Sequence, residues 1–322
     1  MFRSILTAAA VAATVAIAPA SAQELNFGII STESTANLKR QWDPFIEAMS
    51  KGTGMQVKAF FASDYAGVIE GMRFNKVQVA WFGNKSAMEA VDRSSGEVFA
   101  QSVDKDGNPG YWSHIIVHKD SAFQTLDDVL KCDKTLDFGI GDPNSTSGFL
   151  VPTTFIFSAK GIDPRNCFKT LRSANHEANA LAVANKLVHA AANNSENLTR
   201  LKVSSPAKAA DVRVIWTSPL IPADPLVWRT DLDPALKKKL SDWLFAYGTK
   251  DEEEKKVLAG LNWAPFKKST NAQLLPVRQM EVNKDLMKLK DDTKISAEEK
   301  QPKLVALQKE FDELGRQIAT MK

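Results

Sequence analysis

The segment GDPNSTSGFLVP, residues 141–152, places three adjacent hydroxyls, Ser145, Thr146 and Ser147, between a Pro-Asn turn and a glycine. A strand-like run, LDFGIG (136–141), leads in, and a helical run, SGFLVPTTFIFSAKG (147–161), leads away. The hydroxyls therefore fall where a helix begins. The first N–H groups of a helix have no partner inside it, and its aligned dipoles favour negative charge there. With three hydroxyl donors added, that end can hold an oxygen-rich anion such as a phosphate or phosphonate group without any arginine. Plain helix capping accounts for one of the three hydroxyls. The stretch lacks the lysine and the glycine spacing of a nucleotide P-loop.

Other residues could do chemistry nearby. Tyr65 and Tyr111, two of only three tyrosines, lie next to turn signals. A ring with a hydroxyl tip suits a small-ligand cleft, and it also suits partly buried packing. His176 opens the run HEANALAVANKLVHAAA (176–192), so an imidazole stands at another helix start, where it can meet an anion. His189 falls late in that run, His114 alternates with apolar neighbours, and His118 sits beside a lysine on a strand expected at the hinge. Glu196, in NNSENL, follows the 176–192 helix, and Asp224, in LIPADPL, follows the strand VRVIWTSP (212–219). Acids at such places are commonly solvated. No spacing of His, Cys or Asp matches a metal site, and no nucleophile elbow or catalytic pair can be assigned. Cys132 and Cys167 each precede a strand-like run, with a helical crossover between them. A disulfide can join them if the two strands are parallel neighbours; otherwise they are independent buried thiols.

Positioning these residues takes a repeated alternation of strand and helix. LNFGII (25–30), MQVKAFFA (55–62) and VQVAWFG (77–83) read as strands, each followed by a helix, which is an α/β unit with a mostly parallel sheet. After the long strand GYWSHIIVHKD (110–120) the pattern restarts with LDFGIG, CFKTLRSA (167–174) and VRVIWTSP. The restart implies a first lobe of residues 23–118 plus 221–290, a second lobe of 119–220, and a helical tail of 291–322. Two crossings make a hinge, with a cleft between the lobes. Beyond LIPADPLVWR (220–229) the chain reads as mostly helical. In the tail, Leu304, Leu307, Phe311, Leu314, Ile318 and Met321 follow a heptad seam. Such a helix either lies on its own domain or meets a second copy of the chain.

The 322 residues are 44% apolar and 25% charged, ordinary globular values. A formal net charge of +3 is too small to reach out for nucleic acid or a membrane surface. Residues 1–22, MFRSILTAAAVAATVAIAPASA, combine Arg3, an apolar run and Ala20-Ser21-Ala22. That is the pattern of a secretory signal peptide, with the mature chain starting at Gln23 in a compartment where disulfides persist. The apolar run is too short to span a bilayer.

Read together, LNFGIISTES, DYAGVIEGMRFNK, NKSAMEAVDR, GYWSHIIVHKDS, GDPNSTSGFLVP, HEANALAVANK, SPLIPADPLVWR and the tail around LGRQ resemble the periplasmic substrate-binding proteins of bacterial phosphonate ABC importers. The resemblance covers almost all of the mature chain. It implies a type II periplasmic-binding fold: two α/β lobes, two hinge strands, and one ligand in the interlobe cleft. It further implies no catalysis, no cofactor, and a membrane permease with a cytoplasmic ATPase as partner. Carried over residue by residue, Tyr65, Tyr111, Ser145, Thr146, Ser147 and His176 would hold the phosphonate head. Glu196 and Asp224 would hold the amino group of 2-aminoethylphosphonate. Phe82 stands where the family has a tyrosine, a change expected to be peripheral. The alternatives are the same fold binding phosphite, phosphate or another alkylphosphonate, and a ligand sensor outside transport.

Overall fold

A computed structural model describes residues 24–321; the expected signal peptide and its cleavage point lie outside the described residues. The chain begins with β1 (Glu24–Ile29), α1 (Thr35–Thr53), β2 (Gln56–Phe61), α2 (Tyr65–Arg73), β3 (Val79–Trp81), α3 (Asn84–Arg93) and β4 (Gly96–Asp104). It crosses at β5 (Gly110–Tyr111) into β6 (Ser113–His118), α4 (Leu126–Val129) and β7 (Asp137–Ile140). Helical turns of π type at Thr146–Leu150 and Thr153–Phe157 close in a 3₁₀ turn at Ser158–Lys160. Then come α5 (Pro164–Cys167), β8 (Thr170–Ser173), α6 (His176–Ala184), β9 (Ala190–Asn194), α7 (Ser195–Ser204), α8 (Pro206–Ala210) and β10 (Val212–Thr217). The chain returns through β11 (Ile221–Pro222) to β12 (Pro225–Arg229), α9 (Pro234–Ala246), α10 (Glu252–Gly260) and β13 (Trp263–Lys268), and ends in α11 (Leu275–Asp291) and α12 (Ala297–Thr320).

Two larger sheets result, ordered β13-β4-β12-β3-β1-β2 and β10-β6-β9-β7-β8. Both are mixed, where a mostly parallel arrangement was expected. β1 pairs parallel with β2 and β3, while β12 is antiparallel to β3 and β4. The cause is the double crossing. β4 runs out toward the hinge and β12 comes back from it, so these neighbours point in opposite directions. β6 and β10 do the same in the second sheet.

The expected boundary at 118/119 falls earlier. GYWSHIIVHKD breaks after Tyr111, and Ser113–His118 pairs with β9 and β10 in the second sheet. The crossing itself is the two-stranded pair β5–β11, with Tyr111 opposite Ile221 and Gly110 opposite Pro222. Gly110 is needed there, because a Cβ would sit 1.9 Å from the Ile221 carbonyl oxygen.

The helix expected over 176–192 stops at Ala184. Asn185 caps it, and Lys186 turns with φ 59°. Ala190–Asn194 is instead a fully buried strand between β6 and β7. Alanine favours helix intrinsically, but tertiary context overrides it here. Ala191 packs under α6 and α7 against Val183 and Leu201, while Ala190 and Ala192 face the opposite cluster with Phe138 and Phe157. Small side chains let helices approach both faces of this central strand. His189 consequently precedes a strand instead of ending a helix. Cys167 likewise closes α5, and the strand expected from 167 begins at Thr170. β4, β12 and β13 were not anticipated.

In the first lobe Phe27, Trp42, Phe45, Trp81 and Trp263 form one aromatic core, with Trp42 and Trp81 ring centroids 5.2 Å apart. Burying such a side chain stabilises by about 1.5–3 kcal/mol. Cys132 and Cys167 are joined by a disulfide. Four of the six residues of the tail's heptad seam pack within the chain: Leu314 is buried with Val282 and Leu286 of α11, and Leu304, Leu307 and Phe311 pack around them, while Ile318 and Met321 lie outside that cluster.

Candidate functional site

The second lobe presents its hydroxyls at the start of the Thr146–Leu150 turn. Ser145 caps that turn, its Oγ accepting from Gly148 N–H at 3.0 Å. Thr146 Oγ1 accepts from Lys85 N–H of the first lobe at 2.8 Å. Ser147 Oγ accepts from Asn194 Nδ2 at 3.0 Å. Each hydroxyl thus spends a lone pair on the protein, and Ser145 and Ser147 also lie 3.3 and 3.5 Å from His176 Nε2, an acceptor their protons can turn from toward a ligand oxygen. Capping and anion binding are compatible on this stretch, since capping uses the oxygen of Ser145 and anion binding uses the hydrogen.

His176 begins α6, with Asn175 as its cap. Its Nε2 lies 3.3 Å from Ser145 Oγ and 3.2 Å from Asn194 Nδ2, and its Nδ1 has no partner among the described residues. Burial, then the Arg200 charge, push its pKa down to about 3, so the ring is neutral in the ligand-free protein. Tyr65 opens α2 behind its cap, Asp64. Burial raises the Tyr65 hydroxyl, so it remains a donor at any working pH. Tyr111 and Asp224 come from the hinge, Tyr111 in β5 and Asp224 between β11 and β12. Burial first and the neighbouring Asp224 charge next raise the Tyr111 hydroxyl.

Glu196 lies in the first turn of α7, close behind β9, a placement hidden while 176–192 reads as one helix. Burial raises Glu196 despite the Arg200 charge beside it. Asp224 is 4% exposed, and its Oδ1 lacks a partner among the described residues. Burial and then the Glu196 charge push Asp224 well above the ordinary carboxylate range. Two acids therefore share the cavity, with Arg200 the one cationic side chain among the described residues that lines it and acts on both.

All eight residues singled out from the sequence line one cavity. It is closed over by bonds between lobes: Lys85 to Thr146, Tyr65 N–H to Asp142 Oδ2 at 3.3 Å, and Ser34 N–H to Glu177 Oε2 at 2.6 Å. Phe82 is fully buried in the first lobe's core and does not line the cavity.

Of the lining residues that the sequence reading missed, two carry polar chemistry at the site, Asn194 and Arg200. Asn194 caps α7 and orients Ser147 and His176 with its amide. Arg200, four residues after Glu196 on the same helix face, brings a guanidinium into a site expected to work without arginine. The i,i+4 spacing was the available signal, but it has meaning only once α7 is known to be helical. No cluster of His, Cys, Asp and Glu able to hold a metal occurs among the described residues.

Residues 27–274 match the family model described as the periplasmic substrate-binding protein of phosphonate ABC transporters. The phosphonates-binding periplasmic protein of Escherichia coli K12 is 53% identical over 304 residues, 93% of this chain and 89% of that protein. A crystal structure of a phosphonate ABC transporter binding component from Pseudomonas aeruginosa superposes with a TM-score of 0.90 at 53% identity, covering 92% of this chain and 98% of the other. A Prochlorococcus marinus protein solved with methylphosphonate shares the fold, with a TM-score of 0.72 at 23% identity over 81% of this chain and 99% of that one.

Proposed function

This chain belongs to the periplasmic substrate-binding proteins of phosphonate ABC transporters, and from that premise we propose that its preferred ligand is an aminated phosphonate, 2-aminoethylphosphonate foremost. Membership makes it a type II periplasmic binding protein and a non-catalytic transport component that binds a phosphonate-type ligand. The observation that supports the finer reading is the pairing of Glu196 and Asp224 in the cavity that holds the hydroxyl cluster. Ser145, Thr146, Ser147, His176, Tyr65 and Tyr111 offer protons to the head. Hydrogen bonds to an ionised oxygen are charge-assisted, about 1.5–3 kcal/mol each. The ammonium goes to the acids. It would let both ionise, whereas a plain phosphate brings no cation and leaves them to repel it.

A second reading has its own support: burial and the Glu196 charge hold Asp224 well above the ordinary carboxylate range, which favours its neutral form, and a neutral carboxyl can donate to an anion lacking an amine. On that reading the ligand is an unaminated alkylphosphonate, phosphite or phosphate. Titration calorimetry of the mature protein with 2-aminoethylphosphonate, methylphosphonate and phosphate decides between the two. Tightest binding of the first supports the proposal, and equal affinities refute it. The same proposal includes removal of residues 1–22 on export, read by mass spectrometry of the secreted protein. It also retains a dimer contact through α12, read by the protein's mass in solution.

A further inference from the structure

The guanidinium of Arg200 is the cavity feature that the proposed ligand contacts leave unused. Its Nε is bonded to Glu33 Oε1, which lies after β1 in the opposite lobe. Glu33 is itself anchored, its Oε2 accepting from Gln41 Nε2 at 2.7 Å. Both partners are buried, with 11% of the Arg200 side chain and 2% of the Glu33 side chain exposed. Arg200 Nη2 is buried with no hydrogen-bond partner among the described residues. A guanidinium is a rigid fork, so fixing Nε fixes where Nη2 points. Arg200 also acts on groups at both ends of the cavity, Tyr65 and His176 at one and Glu196 and Asp224 at the other.

We propose that Arg200 is a further ligand-contacting residue that ties binding to lobe closure: Nη2 donates to an anionic oxygen of the bound phosphonate while Nε grips Glu33 across the cleft. The pair can form only when the lobes meet, because Glu33 belongs to the first and Arg200 to the second. Arg200 also sets specificity. The other charged residues that line the cavity, Glu196 and Asp224, are acids, as is Glu33, the partner of Arg200. A ligand with its own ammonium supplies a compensating charge; a ligand without one depends on Arg200. The inference rests on the phosphonate reading only for the identity of the anion.

The test compares wild type, Arg200→Lys, Arg200→Met, Glu33→Gln and the Glu33→Gln/Arg200→Met double variant. Calorimetry with methylphosphonate and 2-aminoethylphosphonate reads affinity, and paired spin labels on the two lobes read the closed fraction without ligand. Arg200→Met should weaken methylphosphonate by roughly 10- to 150-fold, the loss of one charge-assisted bond, and 2-aminoethylphosphonate by less. Arg200→Lys keeps the charge but cannot serve both sides, so it falls between; it carries the comparison should the methionine variant fail to fold. Glu33→Gln should lower the closed fraction. The double variant should bind no more weakly than Arg200→Met, because Glu33 acts through Arg200. Wild-type affinity for methylphosphonate in a folded Arg200 variant overturns the proposal, as does full additivity in the double variant. If wild type prefers phosphate, the ligand reading fails separately, and the same variants titrated with phosphate still judge Arg200.

Discussion

Replacing Glu196 by glutamine removes one charge from the far end of the cavity and keeps its shape. For 2-aminoethylphosphonate the variant loses a charge-assisted bond to the ammonium, about 1.5–3 kcal/mol or roughly 10- to 150-fold in affinity. The lower part of that range is expected. The Glu196 charge is one cause of the raised Asp224 pKa, so its removal lets Asp224 ionise more readily and take over part of the work. Methylphosphonate has no cation to lose, and one repelling charge disappears, so its affinity should hold or improve. Calorimetry at pH 7.5 with both ligands gives the two ratios. A loss by the same factor for both would refute the placement of an ammonium near Glu196. The ligand-free protein gives an independent reading. Carboxyls whose folded pKa is raised contribute stability at low pH, and this is lost as pH rises through the raised value. Wild-type Tm should therefore fall as pH climbs through that range, by the combined effect of Glu196 and Asp224. The glutamine variant, with one acid gone and the other less raised, should fall less.

The ratio of 2-aminoethylphosphonate to methylphosphonate affinity should rise with pH, since the ammonium favours ionised Glu196 and Asp224 while the ionisation common to both heads cancels; a flat or falling ratio by calorimetry favours the unaminated ligand. Thr146→Val is isosteric but leaves Lys85 N–H without its acceptor and removes a donor from the cavity. It should weaken every phosphonate by roughly 5- to 150-fold, equivalent to about 1–3 kcal/mol, and unchanged binding would remove Thr146 from the site. Reducing the Cys132–Cys167 bond, which spans a sequence separation of 35, should lower stability in denaturant titrations by about 3–4 kcal/mol and leave ligand affinity within a few fold. A lost ligand response with the fold intact would show that the disulfide shapes the cavity.

The residues of the candidate site were legible because they belong to short contiguous motifs. NSTSG carries its own local physics, a cap followed by free N–H groups, and DYAG and NHEAN are cap-and-helix starts of the same kind. The strand at Ala190–Asn194 was not legible, because three alanines make a helix unless something packs on both faces of them. Losing that strand also hid α7, and with α7 the Glu196–Arg200 spacing.

The sequence by itself determined the alternation of strands and helices and the two-lobed division in outline, both from periodicity and capping, and it marked, through contiguous motifs and a family resemblance, eight side chains that the structure gathers around one cavity. Only the tertiary structure decided that the sheets are mixed, that the hinge is the Gly110–Tyr111 and Ile221–Pro222 pair, and that Arg200 reaches Glu33 across the cleft. Those outcomes depend on groups more than a hundred residues apart meeting in space, and no local pattern encodes such a meeting.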